Sequence, residues 1–176
     1  MKKHWIMALA LGLLLTGCGG SDSTGSTAAD SAPQDSGAES PAAVTELVVR
    51  FGYDGEPFVM QLEQNSTAQA VAGYVGTSEW QLPVYSFDES DVMEYYDIPS
   101  RYEIPDNSVP VTEAHAGEVF YSDPNRIVLY YHDAEISEEY TKIGTFDATE
   151  AFVSAVENNP VLEGWGNQIV VISDGE

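Results

Sequence analysis

Residues 45–63 read TELVVRFGYDGEPFVMQLE, and this stretch predicts the first two strands of the fold. Apolar residues alternate with more polar ones on both sides of Asp54-Gly55, as they do in strands that bury one face. The alternating apolar residues are Leu47, Val49, Phe51, Phe58, Met60 and Leu62. Because Asp-Gly favours a tight turn between two such runs, the stretch predicts an antiparallel hairpin.

Strand-like segments continue to the end of the chain and are separated by turn-forming residues. They are EWQLPVYSF (79–87), VMEYYDI (92–98), EVFYS (118–122), RIVLYYHD (126–133), YTKIGTF (140–146) and QIVVIS (168–173). Two short helices are predicted, NSTAQAVAGYVG (65–76), capped by Ser66 or Thr67, and DATEAFVSAVENN (147–159), begun by Asp147 or Thr149. Since an open sheet would leave reactive edges, this pattern predicts a mainly β chain, a closed antiparallel β-barrel with one or two capping helices.

The front of the chain predicts export and lipid anchoring. Residues 1–17 combine Lys2 and Lys3 with an apolar run that is too short to span a bilayer, which is typical of a signal peptide. The sequence Leu-Thr-Gly-Cys that ends at Cys18 resembles the bacterial lipobox, in which the cysteine is acylated after cleavage. We therefore expect residues 18–44 to be a lipidated, flexible Ser/Gly/Asp-rich tether and residues 45–176 to form the folded domain.

Charge and cysteine content exclude several classes of function. The net charge is −23, and removal of the signal peptide would leave four basic residues against 29 acidic ones. Nucleic acid is not expected as a partner because phosphate contacts need clustered Lys and Arg. Because Cys18 is the only cysteine, the mature domain is expected to contain neither a disulfide nor a cysteine-ligated metal.

The order of several motifs resembles the bacterial cyclophilin-like proteins, small single-barrel domains related in fold to cyclophilins. The matching stretches are NSTAQAVAGYV, EYYDIP, AHAGEVFYSDPNRIVLYYHD and YTKIGTF followed by a helix, and they span most of the domain. The resemblance implies a cyclophilin-like barrel capped by helices. Prolyl isomerase activity is implied less strongly, because the FHR…Q stretch of true cyclophilins does not occur here.

The candidate ligand-binding residues are Tyr95, Tyr96, Arg101 and Tyr102, in the aromatic segment MEYYDIPSRYEIPD (93–106). Neighbouring residues of a strand point to opposite faces, so one of Tyr95 and Tyr96 is expected in the core and the other outside. Tyrosine offers a large contact area with a polar tip, which suits a binding groove. A solvated strand end with scattered tyrosines explains the pattern equally well.

No catalytic residues and no metal site are predicted. His115 and His132 are isolated from any nucleophile motif, and the acidic run around Asp88 and Asp91 lacks the ligand spacing of a calcium loop. No cofactor is expected. The sequence thus favours a monomeric, membrane-anchored module of the bacterial cell envelope that binds a peptide or small ligand; the alternatives are a prolyl isomerase using Arg101 and an accessory subunit that docks another envelope protein.

Overall fold

The computed structural model describes residues 43–86, 90–164 and 166–175. The predicted signal peptide, Cys18, nearly all of the predicted tether and the acidic residues Asp88 and Glu89 therefore lie outside the described residues. Ten strands and two helices lie within them: β1 Glu46–Phe51, β2 Pro57–Leu62, α1 Ser66–Val75, β3 Trp80–Pro83, β4 Tyr85–Ser86, β5 Met93–Asp97, β6 Val109–Ala114, β7 Glu118–Ser122, β8 Arg126–Tyr130, β9 Ala134–Phe146, α2 Glu150–Glu157 and β10 Ile169–Ser173. None of the described helices is both long and apolar enough to cross a bilayer.

The predicted first hairpin forms. β1 and β2 pair antiparallel, with Val49 opposite Phe58 and Leu47 opposite Met60. Leu47, Val49 and Met60 are almost fully buried inside the barrel. The alternation in residues 45–63 therefore selects the face that the hairpin turns towards the core.

The barrel closes through the segment from Trp80 to Ser86. β3 pairs with β10, and β4 pairs with β5. Between them the backbone N–H of Val84 donates to the carbonyl of Gln168 at 2.9 Å. Counting β3 and β4 as one strand, the sheet runs β10, β1, β2, β9, β7, β8, β5 and back to this segment, a nearly closed barrel of eight antiparallel strands within the described residues. The expected closed barrel is confirmed.

Both predicted helices form and pack on the core. α1 buries Ala68, Val71 and Val75, and α2 buries Phe152 and Val156. The N-cap of α1 is Asn65, whose side chain accepts from the N–H of Ala68 at 2.9 Å, so the prediction of Ser66 or Thr67 is wrong by one residue. Asn caps as well as Ser does, and the Thr67 hydroxyl is instead used to donate to the carbonyl of Pro105. Of the two residues predicted to begin α2, Thr149 is the N-cap.

Strand β9 is longer than the sequence predicts and takes part in two separate pairings. Its C-terminal half pairs with β7 and β2, whereas its N-terminal half pairs with β6, a strand the sequence analysis missed. Ala114 pairs with Ala134, yet Glu118, only four residues later, pairs with Thr145. Four residues span at most about 14 Å, whereas a straight strand from Ala134 to Thr145 would span about 36 Å. β9 must therefore bend, and we call β6 with residues 134–140 of β9 the ribbon.

The ribbon covers a second, smaller core on the outer face of the barrel. Phe120, Val128 and Tyr130 point outward from β7 and β8, and each is at most 3% exposed because Ala114 and Tyr140 of the ribbon cover them. The inward residues of the same strands, such as Ile127 and Leu129, belong to the barrel core. One face of the β7–β8 pair is therefore buried in the barrel and the other under the ribbon.

Glu94 places a carboxyl group inside the barrel. Glu94 is 5% exposed, and its Oε1 accepts a hydrogen bond of 3.1 Å from the hydroxyl of Tyr96, the next inward residue of β5. Burial raises the pKa of Glu94 from 4.5 to about 8, against the opposing effect of this hydrogen bond. Glu94 therefore stays protonated in the folded chain at neutral pH.

The buried carboxyl predicts a loss of stability as the pH rises. Below about pH 4.5, Glu94 is protonated in both the folded and the unfolded chain. Between about pH 4.5 and pH 8, the unfolded chain has released this proton whereas the folded chain keeps it. The free energy of unfolding should fall across this window by at most about 1.4 kcal/mol per pH unit. Glu94→Gln, which retains a partner for Tyr96 without a charge, should flatten the profile in urea melts, and Glu103→Gln, at an exposed loop residue, should not. Identical profiles for wild type and Glu94→Gln would contradict the assignment.

Candidate functional site

A groove of about 500 Å³ lies between the ribbon and the outer face of β5 and β8. One wall is formed by Met93, Tyr95, Arg126 and Val128, and the other by residues 134–138 and Tyr140 of β9. The volume falls within the range of about 300 to 1,000 Å³ that is usual for small-ligand sites. The two pairings of β9 create the groove, because they place a strand opposite the outer face of its own sheet.

Arg126 is the fixed polar centre of the barrel-side wall. It stands opposite Asp97 in the β5–β8 register, and its Nε donates to Oδ1 of Asp97 at 2.8 Å. This hydrogen bond raises the pKa of Arg126 above its ordinary value. The guanidinium carbon lies 4.0 Å from the centroid of the Tyr95 ring, a cation–π distance.

Aromatic stacking continues from Arg126 across the sheet. Tyr95 also stacks on Tyr85 of β4, with ring centroids 5.4 Å apart and planes at 26°. Tyr95 is thus held between a guanidinium on one strand and a phenol on another. A wall built in this way needs little reordering when a ligand binds.

Tyr130 and Tyr140 place two phenols at the junction of the barrel and the ribbon. Both pack on Phe120, with ring centroids 5.9 and 5.4 Å away. Burial raises the pKa of each phenol, and the two side chains interact with each other. Both remain neutral at physiological pH and can donate or accept a hydrogen bond.

The ribbon contributes acidic groups to the rim. Glu135 and Glu138 line the groove and are solvent-exposed. Among the described residues that line the groove, Arg126 is the cation, and Asp97 already neutralises it. The groove therefore carries a net negative charge.

The structure distributes the four sequence-predicted ligand residues over different surroundings. Tyr95 lines the groove, whereas Tyr96 is 3% exposed inside the barrel beside Glu94. Arg101 is exposed and donates to the hydroxyl of Tyr102 at 2.9 Å. Tyr102 packs on Tyr74 and Trp80, against the barrel core and not against the second core where Tyr95 lies.

Sequence reasoning missed Arg126, Tyr130 and Tyr140 as members of one site. A usable signal was present in β8, where Arg126, Val128 and Tyr130 alternate with the apolar residues Ile127 and Leu129. This alternation places the first three on one face of the strand. Arg126 contacts Tyr95 and Asp97 because β5 pairs with β8, and these strands lie about thirty residues apart in the sequence. No local sequence pattern reveals this pairing.

Lys142 is committed to a separate ion-pair cluster. Its Nζ lies 2.7 Å from Oε1 of Glu118 and 3.8 Å from Oε1 of Glu63. Burial tends to raise the pKa of Glu118, but the hydrogen bonds from Lys142 and from the backbone of His115 outweigh burial and lower it. This cation is paired beside β7 and does not line the groove.

Comparison with the solved structure of McbB supports the fold. The structure of McbB in complex with tryptophan matches with a TM-score of 0.53 and 15% identity, over 74% of this chain and 45% of that one. The chain thus spans less than half the length of McbB. The solution structure of the hypothetical protein AF2241 from Archaeoglobus fulgidus matches with a TM-score of 0.49 and 17% identity, over 75% of this chain and 95% of that one. Comparison with curated proteins finds no significant match.

The family assignment comes from the sequence itself. The profile described as the Cyclophilin-like family matches residues 51–163, from the end of β1 to beyond α2. This range includes the second core, the ribbon and the complete groove wall. The chain belongs to the cyclophilin-like family.

Proposed function

We propose that this chain is a lipid-anchored binding module of the bacterial cell envelope, whose groove between the ribbon and the barrel holds a small ligand or a short extended peptide. The observation that carries the proposal is the preformed groove of about 500 Å³ with Tyr95 fixed between Arg126 and Tyr85. Rigid aromatic walls with a few placed polar groups are the usual composition of such sites. The resemblance to cyclophilins supports a binding role but names no ligand.

The groove is a better candidate than the segment around Arg101. Arg101 is exposed, and among the described residues it contacts the adjacent Tyr102 through a hydrogen bond and a cation–π interaction, both of them local. Arg126, in contrast, is held by residues of a neighbouring strand, Asp97 and Tyr95. We therefore place the binding site at Tyr95 and Arg126 and assign Tyr102 to the packing of α1 and β3.

The second candidate function, prolyl isomerisation, is favoured by one observation: an arginine lies against an aromatic ring in a groove on the barrel's outer face. Such catalysis needs a guanidinium that donates towards the prolyl nitrogen and weakens the amide resonance. In Arg126 the Nε–H is already donated to Asp97 and the guanidinium lies against Tyr95. The geometry therefore favours binding over catalysis.

Membrane anchoring is the remaining part of the proposal and depends on Cys18. The Leu-Thr-Gly-Cys sequence and the preceding apolar run support acylation at this residue. A random-coil tether of some 26 residues would have a root-mean-square length of roughly 25 to 30 Å. That reach would hold the barrel clear of the lipid headgroups.

Blocking the groove should weaken ligand binding. The probes are proline-containing tetrapeptides and small aromatic compounds. Those that bind should shift the amide NMR signals of Tyr95 and Arg126 more than the signals of Arg101 and Tyr102. Ser137→Trp places a bulky ring in the groove and should weaken binding at least about tenfold, or about 1.4 kcal/mol. Ser78→Trp, at an exposed residue outside the groove, is the matched control. Shifts centred on Arg101, or equal binding by both variants, would contradict this placement.

A protease-coupled assay with a proline peptide should give only the uncatalysed rate, because Arg126 is held by Asp97 and Tyr95. A true cyclophilin serves as the positive control. Acceleration that disappears in Arg126→Met but persists in Arg101→Met would replace the binding function with isomerase activity at the same groove.

Lipidation can be tested by growing bacteria that express the full chain with an alkyne-tagged fatty acid. The wild-type chain should carry the label and remain with membranes, whereas Cys18→Ser should lose both properties. Adding Ser40→Cys to this variant supplies a thiol outside the lipobox and should not restore the label. Membrane retention of unlabelled Cys18→Ser would exclude anchoring through this residue.

A further inference from the structure

We propose that the groove selects ligands in which a positive charge, an ammonium or guanidinium group, adjoins an aromatic or apolar part. This inference rests on the proposed binding function and specifies its ligand class. The charge distribution on the two walls, together with the engagement of Arg126, leads to it.

The ribbon wall attracts cations. Glu135 and Glu138 both line the groove on the β9 side, and both are exposed to an entering ligand. The chain as a whole carries a net charge of −23. A field of this sign raises the local concentration of cations and repels anions during approach.

The barrel wall offers little to an anion in return. The Nε of Arg126 already donates to Asp97 at 2.8 Å, and the guanidinium lies 4.0 Å from the Tyr95 ring centroid. Asp97 neutralises the charge that a carboxylate ligand would require. An anion would therefore meet a paired arginine on one side and, on the other, two acidic residues of the groove rim that have no ion-pair partner in the part of the chain that the structure describes.

Aromatic groups between the two charged regions suit the remainder of such a ligand. Tyr130 and Tyr140 are neutral phenols with oxygen acceptors, and Tyr95 and Met93 present apolar area. Glu138 lines the same groove as Tyr130 and Tyr140, and its charge contributes to the raised pKa of both phenols, behind burial and the interaction between the two tyrosines. A cation placed near Glu138 would thus interact with the carboxylate and with the tyrosine oxygens at once.

The required chemistry occurs both in arylalkylamines and in lysine side chains of peptides. The test therefore titrates two matched series of probes into the full purified chain and measures binding by NMR. One series is phenethylamine, 2-phenylethanol and 3-phenylpropionate; the other is an acetylated, amidated Phe-Pro-X peptide with X as lysine, norleucine or glutamate. We expect the cationic member of at least one series to bind most tightly and the anionic member least tightly, and the series that shows this order identifies the source.

The carboxylates are tested by neutralisation. The double variant Glu135→Gln, Glu138→Gln should weaken cation binding about three- to tenfold, as two exposed ion pairs allow, and leave the neutral probe nearly unchanged. Glu139→Gln removes one negative charge at an exposed neighbouring residue that does not line the groove, and should alter the preference far less than half as much as the double variant does. Added salt should reduce the preference in the wild type.

The outcomes separate this inference from the proposed function. Neutral probes that shift Tyr95 and Arg126 without any charge preference would overturn the selectivity and leave the binding site intact. Tighter binding of the anionic probes, or equal effects of Glu139→Gln and the double variant, would also overturn it. If no probe of any charge shifts the groove signals, both the selectivity and the binding function fail.

Discussion

The bend of β9 is the constraint on which the second half of the structure depends. Its C-terminal residues complete the barrel wall between β2 and β7, and its N-terminal residues pair with β6 away from that wall. Tight backbone packing holds the junction: a Cβ on Gly144 would lie 2.8 Å from the carbonyl oxygen of Gln61, and Gly117 adopts a φ of +90° at the turn between β6 and β7. A side chain at Gly144 would crowd the backbone of β2, and one at Gly117 would be strained by the positive φ, so glycine favours the observed pairing at both places.

The bend explains how a small barrel can have two buried faces. An antiparallel sheet commonly packs one face on the core and exposes the other. Here the outward residues Phe120, Val128 and Tyr130 are as well buried as the barrel interior, because the ribbon returns over them. The cover is incomplete beyond this cluster, and the uncovered space is the groove. The second core therefore stabilises the ribbon and fixes the groove wall with the same side chains.

The predictability of the fold and of the site follows from the range of the interactions. The alternation within residues 45–63 is a local pattern, and it correctly predicts the first two strands. The alternation of a strand also correctly predicts that Tyr95 and Tyr96 point to opposite faces. β6 was missed because Pro110 and mostly exposed side chains give it no alternating pattern; its pairing comes from β9. The same limit applies to the site. Tyr95 contacts Arg126 because β5 pairs with β8 in one register, which the sequence does not reveal. Arg101 and Tyr102 are adjacent in the sequence, and their contact in the structure is only local.

The acidic residues of the ribbon can be explained in two ways, and their positions distinguish the explanations. Charged side chains on a strand at the margin of a sheet discourage pairing with other chains, and any residue along the strand would serve this purpose. Glu139, which is exposed and lies outside the groove, fits such a protective role completely. Glu135 and Glu138 are different, since they line a cavity whose arginine is already neutralised and whose phenols experience the charge of Glu138. Protection of the strand does not require carboxylates at these places, whereas recognition of a cation does.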